Sequence, residues 1–140
     1  MRVRSLRGQL TDTNVHRIIV DDGRATHGYI VREFYVWTTG ASADGVYAVL
    51  GNQYDMTAGG NASDSRQIAW AGGAWGTAAP PASQAFQVVD PDHVIVRDLF
   101  IQRVNTSDVA NYLIVLEPRT LSEDQAIMAL IKERSQDDSR

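Results

Sequence analysis

The sequence predicts an all-β protein: an eight-stranded antiparallel sandwich, jelly-roll-like, with one C-terminal α-helix. Short runs in which apolar and polar residues alternate recur along most of the chain, as they do in half-buried strands. Clusters of Gly, Asn, Asp and Ser separate these runs, and such residues favour turns. A helical spacing of apolar residues appears only after Pro118. Many short strands with turn signals between them are typical of sandwiches and barrels, and eight strands suit a jelly roll.

The strand signals differ in strength along the chain. The strongest are the last two, which a short loop joins as in a β-hairpin, and Pro118 is expected to end the final strand. In order, the predicted strands are Arg2–Leu10, Val15–Val20, Thr26–Thr38, Gly45–Leu50, Arg66–Ala71, Gln84–Val89, Asp92–Arg103 and Val109–Glu117.

The third predicted strand is apolar on both faces. Tyr29, Val31, Tyr35 and Trp37 alternate on one face and Ile30, Phe34 and Val36 on the other. A strand of this kind is expected to be covered on both sides, at least in its second half.

A helix is predicted over Ser122–Arg134. Ser122 and Gln125 have the spacing of a capping box. Acidic residues in the first turn and basic residues in the last suit the helix dipole. Ile127, Leu130 and Ile131 form a narrow apolar stripe. The polar tail 135–140 follows, and residues 1–140 are expected to form a single domain.

Composition limits the function classes. The chain has 140 residues, 44% of them hydrophobic, and no cysteine, so thiolate metal sites and disulfides are excluded. A net charge of −4 argues against sequence-independent nucleic-acid binding, which needs a basic face. No apolar run approaches the length of a membrane span.

No catalytic motif is present, and we expect neither an enzyme nor a cofactor. Asp90, Asp92 and His93 could hold a divalent cation, but Asp-Pro-Asp before a strand is more typical of a turn whose aspartates cap backbone donors. His16, His27 and His93 would form a metal site, as in a cupin-like barrel, only if strand pairing brought them together.

Several residues are candidates for partner contacts. Trp37 and Trp70 lie in strand patterns and are expected in the core. Trp75 and Tyr54 lie in long loops, where an aromatic side chain is either tucked under the loop or an exposed anchor. The arginine row of the first strand suits a solvated edge or an acidic neighbour. The full candidate set is Arg2, Arg4, Arg7, Tyr54, Trp75, Ile127, Leu130 and Ile131.

Four segments together carry a resemblance to a group of viral proteins: IIVDDGRATHGYIV, RQIAWA, VDPDHVIVRDLFI and NYLIVLEPRTLSEDQAIMALIKERSQD. The chain resembles small virion structural proteins of marine and archaeal viruses. The resemblance implies a jelly-roll-like minor capsid, decoration or cement protein that self-associates, as a homotrimer in many such proteins, and contacts other capsid proteins in the virion. The alternative from the residues is a sandwich that binds a carbohydrate or a host receptor.

Overall fold

The fold is known from a computed structural model. It describes residues 3–20, 23, 26–39, 45–73, 86–104, 109–122, 124–125, 127–128 and 131. Arg2, Trp75 and Leu130 lie outside the described residues.

Eight β-strands form two antiparallel sheets, which confirms the prediction of an all-β, sandwich-like fold. Sheet A has the order β1-β8-β3, and sheet B has the order β2-β7-β4-β5-β6. The strands are β1 (Arg4–Leu10), β2 (His16–Ile19), β3 (His27–Thr38), β4 (Val46–Gly51), β5 (Gln67–Gly73), β6 (Phe86–Val89), β7 (Asp98–Arg103) and β8 (Ala110–Thr120).

One apolar core lies between the sheets. Ile114 and Leu116 of β8 are fully buried, and so are Leu50 of β4 and Ile101 of β7. The neighbouring β8 positions 111, 113 and 115 are only partly buried, so this strand has the predicted alternation. Burying apolar side chains from both inner faces is the main force that holds two such sheets together.

A β-bulge divides β3 and changes which of its side chains share a face. Val31 lies opposite Leu116 and Glu33 opposite Val115, so Arg32 has no partner across the ladder. An extra residue of this kind shifts the side-chain alternation by one. Val31, Phe34 and Val36 are therefore all buried, whereas Tyr35 is exposed. The predicted faces of this strand were wrong after Val31, and its second half is not covered on both sides.

The two sheets meet along both halves of β3. Near the start of the strand, Tyr29 exchanges two backbone hydrogen bonds with Ile95, of 2.8 and 2.7 Å. Further along, the Phe34 N–H donates to the side-chain oxygen of Gln87 on β6, at 2.5 Å. Edge β3 of sheet A thus lies beside edge β6 of sheet B, and we call this boundary the seam.

The last two strands do not form the predicted hairpin. Strand β7 pairs with β2 and β4 in sheet B, and β8 pairs with β1 and β3 in sheet A. The short connection therefore crosses between the sheets. The seventh strand is also shorter than predicted and begins at Asp98, because Ile95 forms only an isolated bridge.

Pro118 does not end β8, which continues to Thr120. Pro118 lies opposite Tyr29, whose own N–H and carbonyl bond to Ile95 on the far side. The nitrogen of Pro118 therefore points away from β3, towards the side where β1 would lie. Among the described residues, the pairing of β1 begins at Arg4 opposite Leu116, so proline interrupts no ladder hydrogen bond that the structure describes.

After β8 the described residues are too few to bound an element, so the helix Ser122–Arg134 stays a prediction. Both reciprocal bonds of its capping box are present: Ser122 N–H to Gln125 Oε1 at 3.0 Å, and Gln125 N–H to Ser122 Oγ at 3.2 Å. The chain is held just before this point, because the Leu121 N–H donates to the Thr26 carbonyl at 2.7 Å.

Truncating Ile101 to alanine should lower the free energy of unfolding by about 2–5 kcal/mol, because it leaves a cavity between the sheets. Ile19→Ala on the neighbouring strand β2 is the matched control. Ile19 is 62% exposed, so its truncation should change stability by no more than about 0.5 kcal/mol. Urea unfolding of both variants measures the difference, and equal effects would contradict this placement of the core.

Candidate functional site

The most conspicuous feature of the described surface is an aromatic patch on both sides of the seam. Its exposed members are Tyr35 at 39%, Phe86 at 43% and Val88 at 55%. Trp37 on β3 and Trp70 on β5 are partly exposed beside them. We call these five residues the seam surface. Both tryptophans had been predicted in the core, and that was wrong, because both side chains keep part of their surface exposed on the outer faces of the two sheets.

Three shallow grooves make the seam surface continuous. A groove of about 420 Å³ includes Trp37, Arg7 and Leu113. A second, of about 290 Å³, runs between Trp37 and Phe86 across the seam. A third, of about 360 Å³, continues from Phe86 to Val88 and Trp70. Since Trp37 joins the first two and Phe86 joins the last two, the grooves form one uninterrupted path.

Tyr35 is held in place although it is exposed. Its hydroxyl donates to Glu33 Oε1 at 2.6 Å. This hydrogen bond to the Glu33 carboxylate raises the pKa of Tyr35 above its ordinary value of 10.0. An aromatic ring fixed in this way loses less side-chain entropy when a partner covers it.

The rings of Phe86 and Tyr47 pack against each other beside Gly72. The ring centroids are 5.7 Å apart. A Cβ atom on Gly72 would lie 2.5 Å from Tyr47 Cδ1 and 2.8 Å from Phe86 Cε1. Only glycine leaves room there for the two rings to meet on the outer face of sheet B.

The side chain of Gln67 organises the loop beside Trp70. Its amide nitrogen donates to the carbonyls of Thr57 and Gly59, both at 2.7 Å. Its oxygen accepts the Asn61 N–H at 2.7 Å and the Trp70 indole N–H at 2.8 Å. This buried amide thus satisfies the backbone of the loop and fixes the indole, so the only polar side-chain atom of Trp70 has a partner inside the protein.

Asp64 forms the second polar centre of this loop. Its carboxylate accepts the Thr57 N–H at 2.6 Å and Arg66 Nε at 2.8 Å. Burial by itself would raise the pKa of Asp64. The hydrogen bonds from Arg66 and Thr57 outweigh it, however, and hold the pKa far below the ordinary value of 3.8. Together with Gln67, Asp64 thus holds the loop between β4 and β5 in a fixed structure.

The predicted contact residues are not all near one another. Arg4 bonds to the Val20 carbonyl at 3.1 Å, and its guanidinium lies 5.1 Å from the Tyr29 ring centroid, so it contacts its own chain. Arg7 lines the groove beside Trp37. Tyr54 is exposed and packs edge-on against Phe100, with centroids 6.3 Å apart. The exposed residues Ile127 and Ile131 lie in the C-terminal segment.

Asp90 forms the predicted turn. Its Oδ1 accepts the Asp92 N–H at 3.0 Å, and its Oδ2 lies 3.3 Å from His93 Nε2. His16 instead contacts Asp12, at 2.8 Å. Within the described ranges, no three or more His, Asp or Glu side chains are close enough together to share a metal ion. The same part of the chain contains no helix with the length and apolar character of a membrane span.

Sequence reasoning did not single out Phe86 and Val88. Their alternation with Gln87 in a short run without charge or proline was a usable signal, because strands that must stay solvated at an edge normally carry such residues. The sequence could not show that β6 lies at an edge, since that depends on strand order.

Comparisons of this chain with protein-family models, with curated protein sequences and with solved structures found no match.

Asp64→Asn should lower the free energy of unfolding at neutral pH by about 1–3 kcal/mol, because the amide presents an N–H group to donors that now bind a carboxylate. The folded-state pKa lies below the ordinary 3.8. The carboxylate therefore stabilises the fold above that pH, and the contribution is lost as the pH falls below it.

The stability of Asp64→Asn should accordingly fall less steeply in acid than that of the parent chain. Asp92→Asn, at an exposed turn position, is the control and should keep the parental pH dependence. Urea unfolding across the acid range measures this, and parallel profiles for all three proteins would refute the role of Asp64.

Proposed function

We propose that this protein is a structural subunit of a virion, either a capsid protein or one that decorates or cements a capsid. In this role it works by self-association, as a homotrimer in our hypothesis, and by contact with other capsid proteins. The observation that carries the proposal is the continuous seam surface, which a solitary molecule would leave in water.

The order of the strands supports a jelly roll as the fold behind this role. In an eight-stranded jelly roll a long antiparallel ribbon is rolled up, which pairs strands 1 with 8, 2 with 7, 3 with 6 and 4 with 5. The ladders β1–β8, β2–β7 and β4–β5 follow this scheme. For the fourth pair, β3 lies beside β6 through the Phe34–Gln87 hydrogen bond, while the backbone of β6 pairs with β5. The predicted C-terminal helix would complete the subunit.

The edges of the sheets differ in how they are protected. Strand β1 carries Arg4 and Arg7, and on β2 Arg17 forms an ion pair with Asp98 at 3.1 Å. Charged side chains on an edge strand discourage pairing with another molecule. Strand β6, with the sequence FQVV, has neither a charge nor a proline. The edge of β6 lies beside β3 of the same chain, so it is the exposed side chains Phe86 and Val88 of this strand that suit a protein contact.

The chemistry of the groove along β6 favours a protein partner over a sugar. A sugar site needs several converging polar groups beside its aromatic rings. The groove along β6 is lined by Gly60, Ala62, Trp70, Phe86 and Val88. The indole N–H of Trp70, the one polar side-chain atom among them, already bonds to Gln67. The carbohydrate-binding alternative through Tyr54 and Trp75 stays a prediction.

Val88→Asp should weaken self-association by at least about tenfold in the dissociation constant, because a charge would replace an apolar contact that is worth roughly 1.4 kcal/mol or more. Ile19→Asp makes the same change on the opposite edge of sheet B and should leave association unchanged. Sedimentation equilibrium over a range of concentrations measures both. A parent chain that stays monomeric at all concentrations and does not join purified particles would contradict the proposed function.

A further inference from the structure

We propose that the C-terminal segment of a second copy of this chain, in helical form, lies on the outer face of sheet A. This inference rests on the proposed function and identifies one contact through which copies of the chain associate. It is carried by two apolar surfaces of the described structure, one partly exposed and one largely exposed.

The first surface is the outer face of sheet A. In antiparallel sheets with one face in water, the outer positions are ordinarily polar. Here Leu113 and Val115 of β8 occupy the middle of that face, and Tyr35 lies opposite Leu113 on β3. Trp37 lies opposite Asn111 at the end of the same face. Four apolar or aromatic side chains on adjacent strands form a shallow platform wide enough for one helix.

The second surface belongs to the C-terminal segment. Ile127, Met128 and Ile131 are 55%, 72% and 57% exposed. Their sequence positions place them along one side of a helix. The body of their own chain therefore does not cover them, although they would bury apolar area readily against a partner.

The segment is too short to reach the Leu113 end of this platform on its own chain. Strand β8 rises about 3.3 Å per residue, so Leu113 lies roughly 26 Å from Leu121 along the sheet. A helix rises about 1.5 Å per residue, so Ile131 lies only about 14 Å from Ser122. The Leu121 N–H is hydrogen-bonded to the Thr26 carbonyl, and the capping box begins at the next residue. No flexible linker therefore separates β8 from the predicted helix. A helix from another copy meets no such limit.

The charge at one end of the platform indicates a direction for the helix. The segment begins with Glu123 and Asp124 and ends with Lys132 and Arg134. On sheet A, the exposed Arg7 lies opposite Leu113 at one end of the platform, whereas Glu117 further along β8 is already ion-paired with Arg32 and Arg119 of its own chain, at 3.5 and 3.7 Å.

Asp124 and Ile127 are three residues apart, about 4.5 Å along the axis of a helix. The acidic start of the helix is therefore placed beside Arg7, which brings Ile127 near Leu113.

Disulfide trapping between two single-cysteine variants tests this arrangement, because the parent chain contains no cysteine. Leu113→Cys and Ile127→Cys are purified separately, mixed and oxidised. The proposal predicts a disulfide-linked pair containing one chain of each kind, with different affinity tags identifying the chains. Ile19→Cys mixed with Ile127→Cys is the matched control, since Ile19 is exposed on sheet B, and it should give only background cross-linking.

Two results would overturn the proposal. One is a mixture that cross-links no more than the control. The other is a Leu113→Cys/Ile127→Cys double variant that closes a disulfide within a single chain. If either result is found while sedimentation still shows oligomers of the parent chain, the contact lies elsewhere and the proposed function stands. If the parent chain neither self-associates nor joins particles, the proposed function itself is wrong.

Discussion

The unpaired residue Arg32 in β3 is the constraint on which the rest of the structure depends. It lets Val31 before the bulge and Phe34 after it both enter the core, although their separation in the sequence would place them on opposite faces of a regular strand. The same shift turns Tyr35 and Trp37 outwards. The core between the sheets and the aromatic surface outside them are therefore consequences of one local irregularity.

Polar side chains give the loop over sheet B its shape. Gln67 and Asp64 are both buried, and between them they bond to the backbone of Thr57, Gly59 and Asn61. A loop that satisfies its backbone in this way needs no apolar core of its own. It forms one wall of the groove at Trp70, so the polar network holds the apolar surface in shape.

Much of the fold could be predicted from the sequence, because alternation within a strand is a local property. All eight predicted strands exist, and the buried face of β8 was assigned correctly. Strand order is not local: the short link between β7 and β8 looks like a hairpin but crosses between the sheets. Pro118 was misread for the same reason, because its effect depends on whether a neighbour lies on its nitrogen side.

The candidate site was less predictable than the fold. Arg7, Ile127 and Ile131 were named from the sequence and lie on surfaces used in the proposals, whereas Arg4 contacts its own chain. Phe86 and Val88 were missed, since an apolar residue in a short strand looks the same whether its face is covered or open. Only the arrangement of the two sheets distinguishes these cases.

The central claim is that the seam surface is covered by protein when the molecule performs its function. Hydroxyl-radical footprinting of the assembled and the dilute protein tests this claim most directly. The account predicts that oxidation of Tyr35 and Phe86 falls strongly on assembly, while oxidation of Ile19 stays the same. Equal oxidation of Tyr35 and Phe86 in the two states would contradict it.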